Sequence, residues 1–162
     1  MRCLGLDPGL GRCGWAVVDA DHAIAYGTWT TQSRVDSSVR LAQLGQQVQD
    51  ALRTFHPHAA IIESLFFGAN HTTAMMVSEA RGVLLAACGA AGIPCYGLTP
   101  QQIKQAVTGD GRASKAQVRT MVTRLWHLSQ PPTPDDTADA LAIAWAGWPQ
   151  VQLAQRVVSS TR

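Results

Sequence analysis

The sequence predicts a single α/β domain in which one mixed central sheet carries helices on both faces. Three observations support this fold class. The chain opens with three short strand-like segments, and helical and strand periods alternate after them. Its 162 residues, 46 % of them hydrophobic, suffice for one buried core. A mixed sheet covered by helices on both sides accounts for all three.

The first third of the chain predicts three strands joined by tight turns. Residues 2–6 form an apolar run that ends at Asp7-Pro8-Gly9. Proline fixes φ in such a turn, and glycine permits positive φ. Two further strand-like runs follow at residues 14–19 and 23–31.

The period then changes, and helices alternate with buried strands. From residue 37 the apolar positions recur every three or four residues until Pro57. The predicted segments are a helix at 37–55, a strand at 58–63, a helix at 72–90, a strand at 93–98, and helices at 100–107, 114–128 and 136–148. Weak periodicity beyond Pro149 predicts a poorly ordered tail, so the predicted domain spans residues 1–148 and the tail residues 149–162.

Composition excludes several classes of protein. No run approaches the roughly 18 apolar residues of a membrane helix, and the first residues lack the pattern of a signal peptide. The four cysteines show no CxxC spacing and lie in apolar runs. Reduced, buried thiols in a cytoplasmic protein are therefore expected, rather than a disulfide or zinc site.

Charge is distributed unevenly along the chain, although the net charge is only +2. Residues 81–124 hold six basic residues and one acid, and residues 125–145 hold three aspartates and no base. This pattern suits an enzyme that binds a polyanion and cuts it with metal ions. Solvated helix faces of opposite sign explain the charge pattern equally well.

Acidic residues follow two of the predicted strands. Asp7 ends the first strand, and Glu63 ends the strand at 58–63. If these strands are parallel neighbours, their carboxyl ends meet at one edge of the sheet, where sites in open α/β sheets form. Asp136 and Asp139 are three residues apart in the first turn of the last helix and share one face. The sequence thus predicts that four carboxylates converge.

Most of these acids also have an ordinary structural explanation. Asp7 before Pro-Gly is typical of a turn, and aspartates at a helix start are typical of caps and first-turn acids. Glu63 is harder to explain in this way, because a carboxylate beside a buried apolar strand needs a partner.

Convergence of the four carboxylates predicts a site for divalent cations. Their mutual repulsion would make at least one acid keep a proton, and a hard cation removes that repulsion. Ligands that are all oxygen favour Mg²⁺ or Mn²⁺ over zinc. Two such ions can activate water and stabilise the leaving oxygen of a phosphodiester.

Six blocks of sequence extend this pattern. They are LGLDPG at 4–9, IESLFFGAN at 62–70, EARG at 79–82, KQAVTG at 104–109, ASKAQV at 113–118 and DTADALAIA at 136–144. In order and length they resemble the RuvC family of Holliday junction resolvases over about residues 1–148. The resemblance implies a ribonuclease H-like fold and a homodimer that makes paired, near-symmetric nicks in opposed strands of a four-way DNA junction.

The resemblance also implies roles for individual residues. Asp7, Glu63, Asp136 and Asp139 would be the metal-binding catalytic acids, with two Mg²⁺ per subunit and Mn²⁺ as a substitute. Lys115 would lie near the scissile phosphate. The other implied DNA contacts are Lys104 on the backbone, Phe66 stacked on bases, and Asn70, Arg81, Arg112 and Ser114. A RuvA–RuvB branch-migration complex is an implied partner, and no membrane is involved.

Several of these residues have alternative interpretations. Phe66 and Phe67 are both candidates for the core, Ser114 is also a helix N-cap, and Arg81 also suits a dimer contact. The helix at 72–90 is the expected dimer surface, and packing within one subunit is the alternative. Two other functional classes are a phosphotransferase of the actin-like superfamily and a junction-binding module without catalysis.

Overall fold

A five-stranded mixed sheet forms the centre of the computed structural model, which describes residues 1–20, 22–64 and 71–160. The strands are β1 (Cys3–Asp7), β2 (Arg12–Val18), β3 (Ala23–Thr30), β4 (Ala59–Glu63) and β5 (Cys95–Leu98). Their order in the sheet is β3-β2-β1-β4-β5. β1 pairs antiparallel with β2 and parallel with β4. The mixed sheet and the parallel pairing of the two acid-bearing strands are both confirmed.

Helices cover both faces of this sheet. They are α1 (Ser37–Phe55), α2 (His71–Ala90), α3 (Pro100–Thr108), α4 (Lys115–Leu125) and α5 (Asp135–Ser160). One apolar core lies between the sheet and α1 and α2, and a second lies between the sheet and α3, α4 and α5. The sheet is therefore buried on both sides, which explains why its central strands read as continuous apolar runs.

Alternation along the strands directs two acids to the α5 side. Cys3 of β1 and Ala59 and Ile61 of β4 belong to the core beneath α5. Asp7 and Glu63 lie an even number of residues further along the same strands, so their side chains point to the same face.

Two glycines let α5 lie directly against the sheet. A Cβ on Gly5 would come within 2.8 Å of the Ala144 Cβ and 2.5 Å of the Ala140 carbonyl oxygen. A Cβ on Gly14 would overlap the carbonyl oxygen of Asp136. The backbone of α5 thus reaches a depth that a strand side chain would prevent, and its first turn lies against β2.

Two helix ends differ from the sequence prediction. α5 continues past Pro149 to Ser160, so the predicted end at Trp148 is wrong. Val151 is buried in the core beneath α5, and this burial offsets the backbone hydrogen bond that proline cannot make. α4 ends at Leu125 rather than residue 128, before a left-handed residue at His127 with φ 51°. The division of the chain at residue 148 into domain and tail stays a prediction.

The four cysteines lie in or against the two apolar cores. Cys3, Cys13 and Cys88 are buried, Cys95 is partly buried, and all four are free. Within the described ranges, no helix is long and apolar enough to cross a bilayer.

The contact between Gly14 and α5 generates a first prediction. Gly14→Ala forces its Cβ against the Asp136 carbonyl, so it should lower the free energy of unfolding by about 3 kcal/mol. Urea denaturation measures this loss. Gly89→Ala is the matched control, because its Cβ meets nothing within 4 Å in α2 and alanine is the better helix former. Equal stability of the two variants would show that the close contact carries no energy.

Candidate active site

One cavity at the carboxyl edge of β1 and β4 collects the predicted acids. Its volume is about 330 Å³. Asp7 and Glu63 enter from the ends of their strands, and Asp136 and Asp139 enter from the start of α5. The remaining lining residues are Lys104, Lys115, Pro100, Ile103, Val118, Ala142 and Ile143. Four carboxylates and both lysines of the chain therefore face one space, with an apolar wall behind them.

Asp7 and Glu63 form a hydrogen-bonded pair of acids. Burial, then the charges of Asp139, Glu63 and Asp136, raise the pKa of Asp7 to about 8. Burial and the charge of Asp139 also raise the pKa of Glu63, whereas its hydrogen bond with Asp7 lowers it. A carboxylate pair can share a hydrogen bond only while it holds a proton, so the metal-free site keeps at least one proton near neutral pH.

Cations of the protein itself hold the acids of α5. Lys115 Nζ lies 3.0 Å from Asp139 Oδ2 and donates to it, and this hydrogen bond raises the pKa of the lysine. Arg12 Nε lies 3.1 Å from Asp136 Oδ2. No N–H is directed at that oxygen, which is buried and lacks a hydrogen bond within the described part of the chain. We interpret the Arg12 contact as electrostatic proximity rather than a formed hydrogen bond.

The donor set fits a hard divalent cation. All four acids offer only oxygen donors, and the buried Asp136 Oδ2 accepts no hydrogen bond among the described residues, although Arg12 lies beside it. Among residues 1–20, 22–64 and 71–160, no three histidine, cysteine or acidic side chains are already arranged to ligate one ion. The Asp7–Glu63 hydrogen bond and the Lys115–Asp139 contact hold these carboxylates in other pairings, so loading a cation requires them to separate.

Two capping boxes position the lysines. Thr99 caps α3 and exchanges hydrogen bonds with Gln102, which orients the helix that carries Lys104. Ser114 caps α4 in the same way with Gln117, so Lys115 is the first residue of that helix. The predicted N-cap role of Ser114 is confirmed. An ammonium at a helix N-terminus is unfavourable, and the contact with Asp139 compensates for it.

Several predicted DNA contacts lie outside the cavity. Arg112 and Ser114 are exposed in the loop before α4. Arg81 is partly buried, and its Nε donates to the Glu63 carbonyl oxygen at 3.2 Å, so it braces the strand end that carries an acid. Phe66 and Asn70 lie outside the described residues.

The sequence analysis missed Arg12. This residue begins β2, and its side chain is 60 % exposed beside Asp136. The only signal was the short turn after Asp7, which returns the chain to the same sheet edge. Without the antiparallel register of Asp7 with Gly14, that turn does not say which side chain returns to the acids.

Comparisons with known proteins agree with this geometry. The family model described as Crossover junction endodeoxyribonuclease RuvC matches residues 3–146. The protein of that name from Brevibacillus brevis is 44 % identical over 148 residues, 89 % of each chain.

Solved structures give the same result for the fold. T. thermophilus RuvC, solved in complex with Holliday junction substrate, superposes with a TM-score of 0.89 at 31 % identity, covering 95 % of this chain and 96 % of that one. The yeast mitochondrial Holliday junction resolvase Ydc2 has a TM-score of 0.61 at 15 % identity, covers 99 % of this chain and 86 % of that one, and supports the fold alone. The predicted ribonuclease H-like fold is confirmed.

The raised pKa of Asp7 generates a second prediction. Between pH 3.8 and about 8 the folded state holds a proton that the unfolded state releases, so the metal-free protein loses stability as pH rises through this range. In EDTA, Asp7→Asn should raise Tm by about 5 °C near pH 8.5 and by much less near pH 5. Thermal unfolding across pH measures the difference. Asp50→Asn, at an exposed carboxylate of α1, is the control, and parallel Tm curves for wild type and Asp7→Asn would contradict the prediction.

Proposed function

The chain belongs to the RuvC family of crossover junction endodeoxyribonucleases, and on this premise we propose that it resolves four-way DNA junctions by paired hydrolytic nicks in opposed strands. The observation that carries the proposal is the single cavity shared by four carboxylates and two lysines. Carboxylates alone repel DNA phosphates, so pure binding gains nothing from them. The arrangement favours a nuclease over a phosphotransferase or a binding module, and it places the protein in DNA recombination and repair.

The family is metal-dependent, and we propose Mg²⁺ as the ion, two per subunit, with Mn²⁺ as a substitute. Asp7, Glu63, Asp136 and Asp139 would hold it. Bound ions of this kind activate a water molecule and stabilise the leaving oxygen of a phosphodiester. The oxygen-only donors support this assignment, as does the buried Asp136 Oδ2, which accepts no hydrogen bond in the described part of the chain.

The acids must first lose the proton that they share. The pKa of Asp7 is about 8. A cation that approaches offsets the repulsion among the carboxylates, which lowers this pKa and makes the proton easier to lose. Metal binding and proton release are therefore coupled at this site.

The two lysines have different roles in the proposal. Lys115 is 73 % exposed beside Asp139, so its ammonium can move to a phosphate oxygen and stabilise the charge that develops there. Lys104 lines the cavity from α3 and neutralises the DNA backbone. The expected products are a 5′-phosphate and a 3′-hydroxyl.

Further DNA contacts are proposed at the rim. The exposed Arg112 and Ser114 suit phosphate contacts in front of α4. Phe66 is proposed to stack on bases near the crossover, and Asn70 to contact DNA. Arg81 is proposed as a further contact, in addition to its hydrogen bond with Glu63.

A homodimer would present two such sites to opposed strands, matching the two-fold symmetry of a junction. We propose α2 as its surface. Met75 is 65 % exposed there, and Gly82 has no atom within 4 Å of a Cβ position, so a second helix can approach closely. A RuvA–RuvB complex as a partner and a cytoplasmic location stay predictions.

Metal-dependent cutting of junctions is the central prediction. Incubated with a synthetic four-way junction and Mg²⁺ or Mn²⁺, the protein should make symmetric nicks that are absent in EDTA and on matched linear duplex. Asp7→Asn should reduce cutting more than about 1000-fold while junction binding persists, because it removes one ligand and leaves the lysines. Sequencing gels map the cuts, and a gel shift measures binding. Tight binding without cutting in either metal would favour the binding module instead.

The lysines give a fourth prediction. Lys104→Ala should weaken junction binding and reduce the slope of log K against log salt by about 1, because one phosphate contact is lost. Lys115→Ala should slow single-turnover cleavage by about 100-fold or more with a smaller effect on affinity. Arg124→Ala, on α4 away from the cavity lining, is the control. Equal losses of affinity and rate in both lysine variants would contradict the separation of roles.

A further inference from the structure

A second polar cavity of about 530 Å³ lies between the end of β3 and α1. Its lining is entirely uncharged amide or hydroxyl side chains: Thr30, Thr31, Gln32, Gln43, Gln46 and Gln47. We call it the glutamine groove. We propose that it binds the sugar-phosphate backbone of junction DNA a few nucleotides from the cut, with Arg40 as its phosphate contact. This inference rests on the proposed function.

The groove shares the sheet edge that carries the catalytic acids. Asp7 ends β1, Arg12 begins the antiparallel β2, and Thr30 ends β3 opposite Arg12. Thr30 lies two strands from Asp7 and two residues further along the strand direction, so the groove begins about 12 Å from Asp7. The cavity opens on the α5 face of the sheet and the groove lies on the α1 side. A DNA strand that leaves the cavity would therefore pass over the end of the sheet at Arg12 to reach the groove.

Arg40 supplies a positive charge beside the groove, bonded to the lining residue Thr31 without itself lining the cavity. Its Nε donates to Thr31 Oγ1 at 3.0 Å, which holds the guanidinium beside Gly11 of the turn before β2. Within the described ranges Arg40 makes no ion pair with a carboxylate. The acid nearest in sequence is Asp36, and its backbone carbonyl oxygen accepts a hydrogen bond from the backbone N–H of Arg40. A guanidinium anchored by one N–H keeps its other donors for a phosphate.

The groove lining suits a nucleic-acid backbone. Glutamine and threonine side chains are common partners of phosphate and sugar oxygens. Gln47 Oε1 is buried without a hydrogen bond in the described part of the chain, and a turn of this amide presents its N–H₂ instead. Gln46 is already engaged, since its Nε2 donates to Asp50. Among the described residues, Gln32, Gln43 and Gln47 are the lining amides whose side chains donate no hydrogen bond within the protein.

Other ligand classes fit this chemistry less well. Within the part of the chain that the structure describes, no carboxylate lines the groove, so these residues offer no charged ligand for a metal ion. Among the described residues, no aliphatic or aromatic side chain lines it, whereas sites for small molecules and peptide anchors are lined mainly by such residues.

Junction binding measured across a salt series separates charge from hydrogen bonding. All variants are made in the cleavage-deficient Asp7→Asn protein, and fluorescence anisotropy reports affinity for a labelled four-way junction. Arg40→Gln should weaken binding about 5- to 10-fold and reduce the salt slope by about 1. Gln43→Ala combined with Gln47→Ala should weaken binding about 3-fold without changing the slope, because neutral groups release no counterions.

Two further variants make the test specific. Arg40→Lys keeps the positive charge, so its salt slope should equal that of the Asp7→Asn protein. This variant also tests the role of the charge if Arg40→Gln fails to fold. Arg53→Gln removes the same charge at the opposite end of α1, where Arg53 pairs with Asp50, and should change neither affinity nor slope.

Phosphate ethylation locates the contact on the DNA. Interference that depends on Arg40 should fall within a few nucleotides of the cut, because the groove begins close to Asp7 at the end of the sheet. The proposed DNA contact at the groove would be wrong if the Asp7→Asn protein binds junctions and the added Arg40→Gln change alters neither affinity, salt slope nor interference. A parent protein that does not bind junctions would overturn the proposed function itself.

Discussion

The close approach of α5 to the sheet is the constraint on which the site depends. Side chains on β1 or β2 would hold this helix several ångströms away, and only glycine at positions 5 and 14 removes them. Helix residues 140 and 144 are alanines, so both surfaces are small where they meet. The first turn of α5 therefore reaches the edge of the sheet, and two aspartates from the end of the domain meet two acids from its centre. Packing between backbones, rather than any bond among the carboxylates, brings them together.

That proximity creates an electrostatic problem that the protein meets with its own cations and protons. Four acids around one cavity repel one another, and burial makes each charge costlier. Three groups compensate for this negative charge. The Asp7–Glu63 pair holds a proton, Lys115 pairs with Asp139, and Arg12 lies beside Asp136. Each compensating group is removable, because the proton dissociates and both basic side chains are largely exposed. The arrangement is stable enough to fold and still open to exchange for metal and phosphate.

Local pattern predicted most of this fold and the identity of the acids. The strand ends at Asp7 and Glu63 followed from apolar runs, and the pair on α5 followed from helical spacing, since both depend on neighbouring residues only. Arg12 could not be found in this way, because its position depends on strand register. The continuation of α5 past Pro149 was missed for a related reason: the cost of proline is local, but the burial of Val151 that offsets it is tertiary. The glutamine groove joins residues 30–32 to residues 43–47, and only the packing of α1 beside β3 brings them together.

The order of the acids along the chain has a consequence for synthesis in the cell. Asp7 emerges early, whereas Asp136 and Asp139 follow roughly 130 residues later. At ribosomal speeds this interval lasts on the order of ten seconds. During most of it the chain holds strands of the sheet but neither lysine, and half of the carboxylates are not yet made. The cavity can therefore assemble only when nearly the whole domain has been made.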